Sequence, residues 1–455
     1  KLIKNNNFNQ LDKYFASIKK DNYSSLQELL SQIIFSWISV EKSKLNFNEA
    51  QEIFQLINPK FKNIKKINNV FLNCYFDTLN TEEKFQNLIN DQNTDFSRYT
   101  FFYADYLLKK DQFKKANSVL NAKLIDVPRN LLLNQLSSDI SLKKKNYSQN
   151  TFDCKNTSNV IAELFYITAN ALSTQSLYSL SNFYVNLAKY LNKDFHAFDT
   201  LLAENFYTLE NFKKARKIYD KIEKKGKFYF WYAAKQNAAI LIKEEKKKKA
   251  LKNLSNAYKE LSDKSIYEKF DYAKFLKNND QFENSIKLYT EIIQEIEKDH
   301  PLYPKVTDGR GVAYERIGEW DKAEQDLLSS LEADPDQAYV INYLAYSWIE
   351  QGVKITESLK MLKKANNLKS DDPYIVDSLG WALFKLKKYK DAKNYLQSAV
   401  KLLPADPIIN DHYGDALWKN GEKIQARYYW NYVLKLKDAE KELKDNIKNK
   451  LVSGL

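Results

Sequence analysis

The residues able to do chemistry here are scattered carboxylates, three histidines and two cysteines, and their spacing decides what chemistry is open to them. His196, His300 and His412 lie far apart along 455 residues, too dispersed to build a histidine-based metal centre. Cys74 and Cys154 are too few for a disulfide framework or a four-thiolate zinc site. Cys74 sits in FLNCYF and reads as a core thiol. The carboxylate pairs Asp334/Asp336 and Asp371/Asp372 fall where helices should begin, which favours capping over acid–base catalysis. His412, beside Asp411 on a repeat helix, reads as a structural or groove-lining group rather than a general base. The chain has no G-x-x-x-x-G-K-[ST] phosphate loop and no G-x-S-x-G elbow, and Gly309-Arg310-Gly311 lacks a third glycine at dinucleotide spacing. The expectation is a protein that is not an enzyme, with no catalytic residues, no cofactor and no metal site.

Function must then lie on a surface, and the elements that build it are legible as an internal repeat. A small residue is followed twelve positions later by another: Gly380 and Ala392, Gly414 and Ala426, Gly311 and Ala323, Ala273 and Ser285, Ala238 and Ala250, Ala203 and Ala215, Ala169 and Ser181, Ala104 and Ala116. Ala345 and Ser358 form one further pair, stretched by a single residue. From Ser181 to Ala426 the second members recur every 34 to 38 residues. Two antiparallel helices approach closely only where neither carries a bulky side chain, so each pair marks a helix crossing. Large apolar residues such as Leu379, Leu383, Leu396, Trp430 and Val433 flank the crossings at helical spacing. Gly318, Gly352 and Gly421 each fall seven residues after the first small position, where a left-handed residue closes a helix. Ala215, Gly311 and Gly380 must therefore be wedged between helices; any of them facing solvent would sink the reading.

A unit of about 34 residues with this pattern resembles the tetratricopeptide repeat, and DPYIVDSLGWALFKLKKYKDAKNYLQSAVKLLPAD is its best stretch. The resemblance implies an all-α fold, an α-α superhelix or right-handed solenoid of helix pairs. It divides the chain into irregular helical repeats over 1–142, a polar linker over 143–158, degenerate repeats over 159–296, a well-formed array over 304–437 and a capping helix over 438–455. The two prolines in 297–309 suggest a kink. The first helix of each unit would line a concave groove. Its expected binding residues are Asn342, Tyr346, Tyr374, Asp377, Trp381, Asp411, Asp415 and Trp418, with Tyr339, Ile349, Phe384 and Ile408 alongside; packing between neighbouring units is an equal alternative for Trp381 and Tyr346. Aromatic side chains supply contact area at low entropic cost, and a column of amides and carboxylates could hold an extended protein or peptide ligand.

The last third is more specific. Leu344, Tyr346 and Gly352, then Asp377, Leu379, Gly380 and Trp381, then His412, Gly414, Trp418, Gly421, Ala426 and Trp430 resemble a proteobacterial family of tetratricopeptide lipoproteins; Lys387 departs from it where a glycine is usual. That resemblance implies an adaptor in the periplasm, anchored at the outer membrane by an N-terminal lipid, which recruits a carboxyl-terminal processing protease. The only Met is Met361, so an upstream segment carrying any targeting signal is expected to precede Lys1. A cytoplasmic scaffold or regulator is the alternative. A polyanion binder is a third reading, prompted by a net charge of +13. Only six of the 71 basic residues are Arg, the side chain suited to bidentate phosphate contact, so a solvated lysine surface is favoured and no specific nucleic-acid partner is expected. No run of 18 apolar residues is present to cross a membrane.

Overall fold

The computed structural model describes residues 25–142 and 151–455. Within them the chain forms 24 α-helices and no strand, an all-α superhelix of stacked pairs. It divides into two compact units, 1–263 and 264–455. The described part of the first unit holds α1 (Ser25–Lys42), α2 (Phe47–Gln55), α3 (Lys62–Phe76), α4 (Thr81–Ile89), α5 (Tyr99–Lys109), α6 (Phe113–Asp126), α7 (Leu131–Ser141), α8 (Thr157–Thr174), α9 (Tyr178–Leu191), α10 (Ala197–Thr208), α11 (Phe212–Ile222), α12 (Lys227–Lys243) and α13 (Lys247–Glu260). The second holds α14 (Ile266–Lys277), α15 (Phe282–Glu295), α16 (Tyr303–Arg316), α17 (Trp320–Ala333), α18 (Ala338–Glu350), α19 (Ile355–Leu368), α20 (Pro373–Lys385), α21 (Tyr389–Leu402), α22 (Pro407–Lys419), α23 (Lys423–Lys435) and α24 (Lys441–Ser453).

The small residues stand where the repeat demands them. Ala215 is fully buried, as are Ala392 and Ala426, and Gly311 and Gly380 are buried too. A Cβ on Gly380 would come within 2.6 Å of Leu396 Cγ, and one on Gly414 within 2.5 Å of Trp430 Nε1. Gly380 and Gly414 are thus the crossing points of α20 with α21 and of α22 with α23.

The turn between paired helices is the most regular feature of the chain. Position seven after the first small residue is left-handed in every pair: Asp111, Ser176, Glu210, Glu245, Asp280, Gly318, Gly352, Lys387 and Gly421, with φ between 55° and 85°. The following N–H reaches back five residues to close the helix, as from Lys388 to Leu383 O and from Glu422 to Leu417 O. Lys387 therefore keeps the family's geometry without its glycine. The one-residue stretch between Ala345 and Ser358 is absorbed in the turn, where Lys354 is also left-handed.

Between successive pairs, Asp372 and Asp406 cap α20 and α22, each accepting from two N–H groups, with Pro373 and Pro407 at the first helical position. The expected capping by Asp334 and Asp336 fails. Gln337 is the N-cap of α18, and Asp336 pairs instead with Lys364.

Two expectations in the first unit need correction. Cys74 is not a thiol: it forms a disulfide with Cys154, closing 80 residues of sequence. The expected linker 143–158 lies outside the described residues up to 150, but the rest of it is built into the core. Phe152 is buried against Phe71, Phe102 and Phe195. Asn192 Nδ2 donates to Thr151 O, and α8 begins at Thr157. A polar composition concealed one apolar anchor and one covalent tie, which together are enough to seat a short segment.

Candidate functional site

In the second unit, the first helices of successive pairs (α16, α18, α20 and α22) carry the expected site residues at equivalent positions. Three residues before each crossing glycine or alanine stand Asp308, Asn342, Asp377 and Asp411. Two members of this column, Asp377 and Asp411, do not face an open groove: they lie in the seam between one first helix and a later one, which supplies the counter-charge.

Asp377 is buried and accepts from His412 Nδ1 of α22 at 3.0 Å. Asp411 and Asp415, also buried, grip the ammonium of Lys450 on α24, with all four oxygens 2.7–2.9 Å from Nζ. Asp415 Oδ1 also accepts from Trp430 Nε1 at 3.0 Å. The expectation of exposed Asp377, Asp411 and Asp415 is thus overturned, because a buried carboxylate tolerates its site only when paired and these find partners 35 to 39 residues onward.

Trp381 is corrected in the same way. Its ring lies flat between His412, with centroids 3.9 Å apart, and Phe384 at 4.8 Å, while Nε1 donates to Glu350 at 2.6 Å. It is a seam residue joining α18, α20 and α22. Trp418 is half-covered, since a Cβ on Gly454 beyond α24 would meet its ring at 2.2 Å.

Burial works against the His412 cation, but the Asp377 carboxylate and the nearby Asp411 and Asp415 outweigh it and hold the imidazolium above its ordinary range. Burial and the Asp411 charge push the Asp415 carboxyl up to about 6, against the pull of Lys450.

What stays open is a shallower surface. Tyr339, Tyr374 and Ile408 occupy one position in the first turns of α18, α20 and α22 and are 57, 54 and 44% exposed. Lys369 Nζ sits 4.5 Å over the Tyr339 ring. Beside this row, Asn342 and Tyr346 are half-buried, and Asn342 Oδ1 has no hydrogen-bond partner. Of the eight expected site residues, Asn342, Tyr346 and Tyr374 therefore border an accessible face, Trp418 is half-covered and the other four build the seam. Lys450 and Glu350 were missed. The 35-residue interval between Asp377 and His412, one repeat plus one residue, was the available signal.

The first unit has its own buried charge. Arg98 binds Glu163 through both carboxylate oxygens, at 2.6 and 2.8 Å, and stacks 3.8 Å over the Tyr166 ring. Nothing in the sequence pattern linked residues 65 positions apart. Among the described residues no cluster of His, Cys, Asp and Glu is placed to hold a metal ion, and no described helix is long and apolar enough to cross a membrane.

Stacked helix pairs, a polar seam and an open aromatic row define a repeat protein that works by contact. A model of the tetratricopeptide repeat matches residues 192–439, more than half of the chain. The chain belongs to the tetratricopeptide repeat family, a generally non-enzymatic scaffold class that binds protein or peptide partners. It is 30% identical over 161 residues to the TPR repeat-containing protein PA4667 of Pseudomonas aeruginosa; the match covers 35% of this chain and spans only 27% of that relative's length. Solved structures with a similar fold include MamA AMB-1, at 18% identity over 38% of this chain and 99% of that one, with a TM-score of 0.33. A second is the tetratricopeptide protein TTC0263 of Thermus thermophilus, at 14% identity over 41% and 100%, with a TM-score of 0.35.

Proposed function

We propose that the chain is a non-enzymatic adaptor of the bacterial envelope, which holds a protein partner against the open row of its second unit and recruits a periplasmic carboxyl-terminal processing protease. The observation that carries the compartment is the Cys74–Cys154 disulfide, because such bonds persist in oxidising compartments and are rare in the cytosol of mesophiles. The protease rests on the motif residues between Leu344 and Trp430, and the docking face on Tyr339, Tyr374 and Ile408, which stand exposed at the same position of three successive first helices. Outer-membrane anchoring through an upstream lipid-bearing cysteine belongs to the same reading.

Two measurements test it. Thiol trapping in intact cells should find both cysteines blocked; free thiols would return the chain to the cytoplasmic alternative. Titration calorimetry of the full chain with the purified processing protease of the same bacterium should give a saturable heat, weakened at least about tenfold by a Tyr339→Ala/Tyr374→Ala double change. No binding removes the protease, and binding insensitive to the double change removes this face.

A further inference from the structure

The positive charge of the chain is concentrated in one stretch of the first unit. From Phe212 to Glu260, across α11, α12 and α13, sixteen Lys and Arg meet five Asp and Glu, so this stretch alone carries eleven of the chain's thirteen net positive charges. All sixteen are Lys except Arg216. Five carboxylates cannot neutralise them, and some are already engaged. Glu244 is shared by Arg216 and Lys246, and the Asp220 side chain accepts from Asn237.

The repeat gathers this surplus on one face. On the second helix of a pair, the residues one before, two after and nine after the second small residue form a single stripe, because separations of three and seven return to the same side of a helix. In α11 and the turn beyond it these residues are Lys214, Lys217 and Lys224; in α13 they are Lys249, Lys252 and Lys259. All six are exposed. Stacked repeats bring equivalent positions to one face of an array, so the two stripes share that face.

The preceding second helix, α9, carries a different chemistry at the same three positions. There they are Leu180, Phe183 and Tyr190, exposed by 44, 56 and 43%. Leu177, one turn earlier on the same stripe, is 48% exposed. One apolar stripe and two cationic stripes therefore lie in a common register on three successive second helices.

That combination selects the occupant. Lysine is a compact, mobile point charge, whereas readers of nucleic acid and of acidic motifs rely on the planar fork of arginine, of which this face has one. An apolar strip beside rows of lysine suits an anionic bilayer, where apolar side chains enter the boundary between headgroups and acyl chains while ammonium groups meet lipid phosphates.

We propose that the second-helix face of α9, α11 and α13 is a membrane-docking surface. It lies on an anionic phospholipid bilayer, with Leu180, Phe183 and Tyr190 among the headgroups and the six lysines against their phosphates. The surface shares no residue with the open row of the second unit and requires neither an acyl anchor nor a protease, so it can fail while the adaptor reading stands.

The test is sedimentation of the 455-residue chain, carrying no acyl group, with vesicles of equal parts phosphatidylglycerol and phosphatidylcholine. Saturable binding is expected there and little on pure phosphatidylcholine. It should fall at least about tenfold between about 0.05 and about 0.5 M salt, as the surface charge is screened. One lysine near an anionic surface is worth about a fivefold gain, so Lys214→Gln/Lys217→Gln/Lys249→Gln/Lys252→Gln should weaken binding at least about hundredfold. Leu180→Ser/Phe183→Ser should weaken it at least about tenfold at the same salt. All the changed positions are exposed, and unchanged thermal melting keeps both variants informative. Binding that ignores either variant, equal binding to neutral vesicles, or no binding would overturn the proposal. So would capture by soluble polyglutamate, undiminished by Leu180→Ser/Phe183→Ser, with the vesicles left unbound, since the face would then serve an acidic protein.

Discussion

Lys450 is the most exposed test of the seam. Replacing it with Met keeps the stem and removes the charge, leaving Asp411 and Asp415 buried with a single remaining donor, Trp430 Nε1. Breaking a buried ion pair from one side costs about 3–5 kcal/mol. An independent bound agrees: a carboxyl of ordinary affinity can escape its charge by protonation, which at pH 7 costs about 4 kcal/mol. The second route adds a pH signature. Holding one proton throughout, the folded variant exceeds the folded wild type by nearly a full proton at pH 7 and by little at pH 5, because Asp415 of the wild type itself titrates at about 6. The deficit should thus shrink by about 1.4 kcal/mol in all between pH 7 and pH 5, most of it above pH 6. Urea unfolding of Lys450→Met and wild type at pH 7 and pH 5, followed by tryptophan fluorescence, measures both numbers. A loss below about 1 kcal/mol at pH 7, or an equal loss at the two pH values, would refute the buried cluster.

Other outcomes follow from the same structure. His412 has a raised affinity for its proton in the folded state, so its contribution is complete below about pH 6.5 and is lost as pH rises through the higher folded value; urea midpoints from pH 6 to 9 should fall for the wild type and flatten for His412→Gln. Reduction of the Cys74–Cys154 bond, or Cys154→Ser, should destabilise the first unit by about 4–5 kcal/mol, the value for a closed loop of this length, read as a lower melting temperature under reducing conditions. Lys387→Gly should raise stability by up to about 1 kcal/mol, since a left-handed residue with a Cβ gives way to one without, and an unchanged or lower urea midpoint would contradict the shared turn geometry. Gly414→Val should cost about 2 kcal/mol or more in the same assay, because its Cβ would meet the Trp430 ring.

The helix pairs were readable because a crossing imposes a local rule: two small residues twelve apart and a left-handed turn between them. That rule survives even where glycine is absent, as at Lys387 and Glu210. The fate of the carboxylates was not readable in the same way. On one helix, a residue facing a groove and a residue facing the next first helix share the same stripe, and periodicity cannot separate them. What decides is the side chain opposite, and for Asp411 that is Lys450, on a helix whose charged composition gave no hint of a buried ammonium. The same holds for Cys74 with Cys154 and for Arg98 with Glu163, pairs made by topology across 80 and 65 residues. Seam and groove positions can be told apart only when residues one repeat apart are read together.

The seam also bears on how such an array could lengthen or shorten. Excising α22 and α23 would carry Lys450 from Asp411 to Asp377, still a carboxylate, whereas excising α20 and α21 would bring His412 opposite Asn342, an amide. Loss of the final module would leave the charges matched, and loss of its predecessor would leave an imidazolium without its anion. A shuffled gene would thus be tolerated at one boundary and penalised at the other, though both cuts remove a helix pair of the same design.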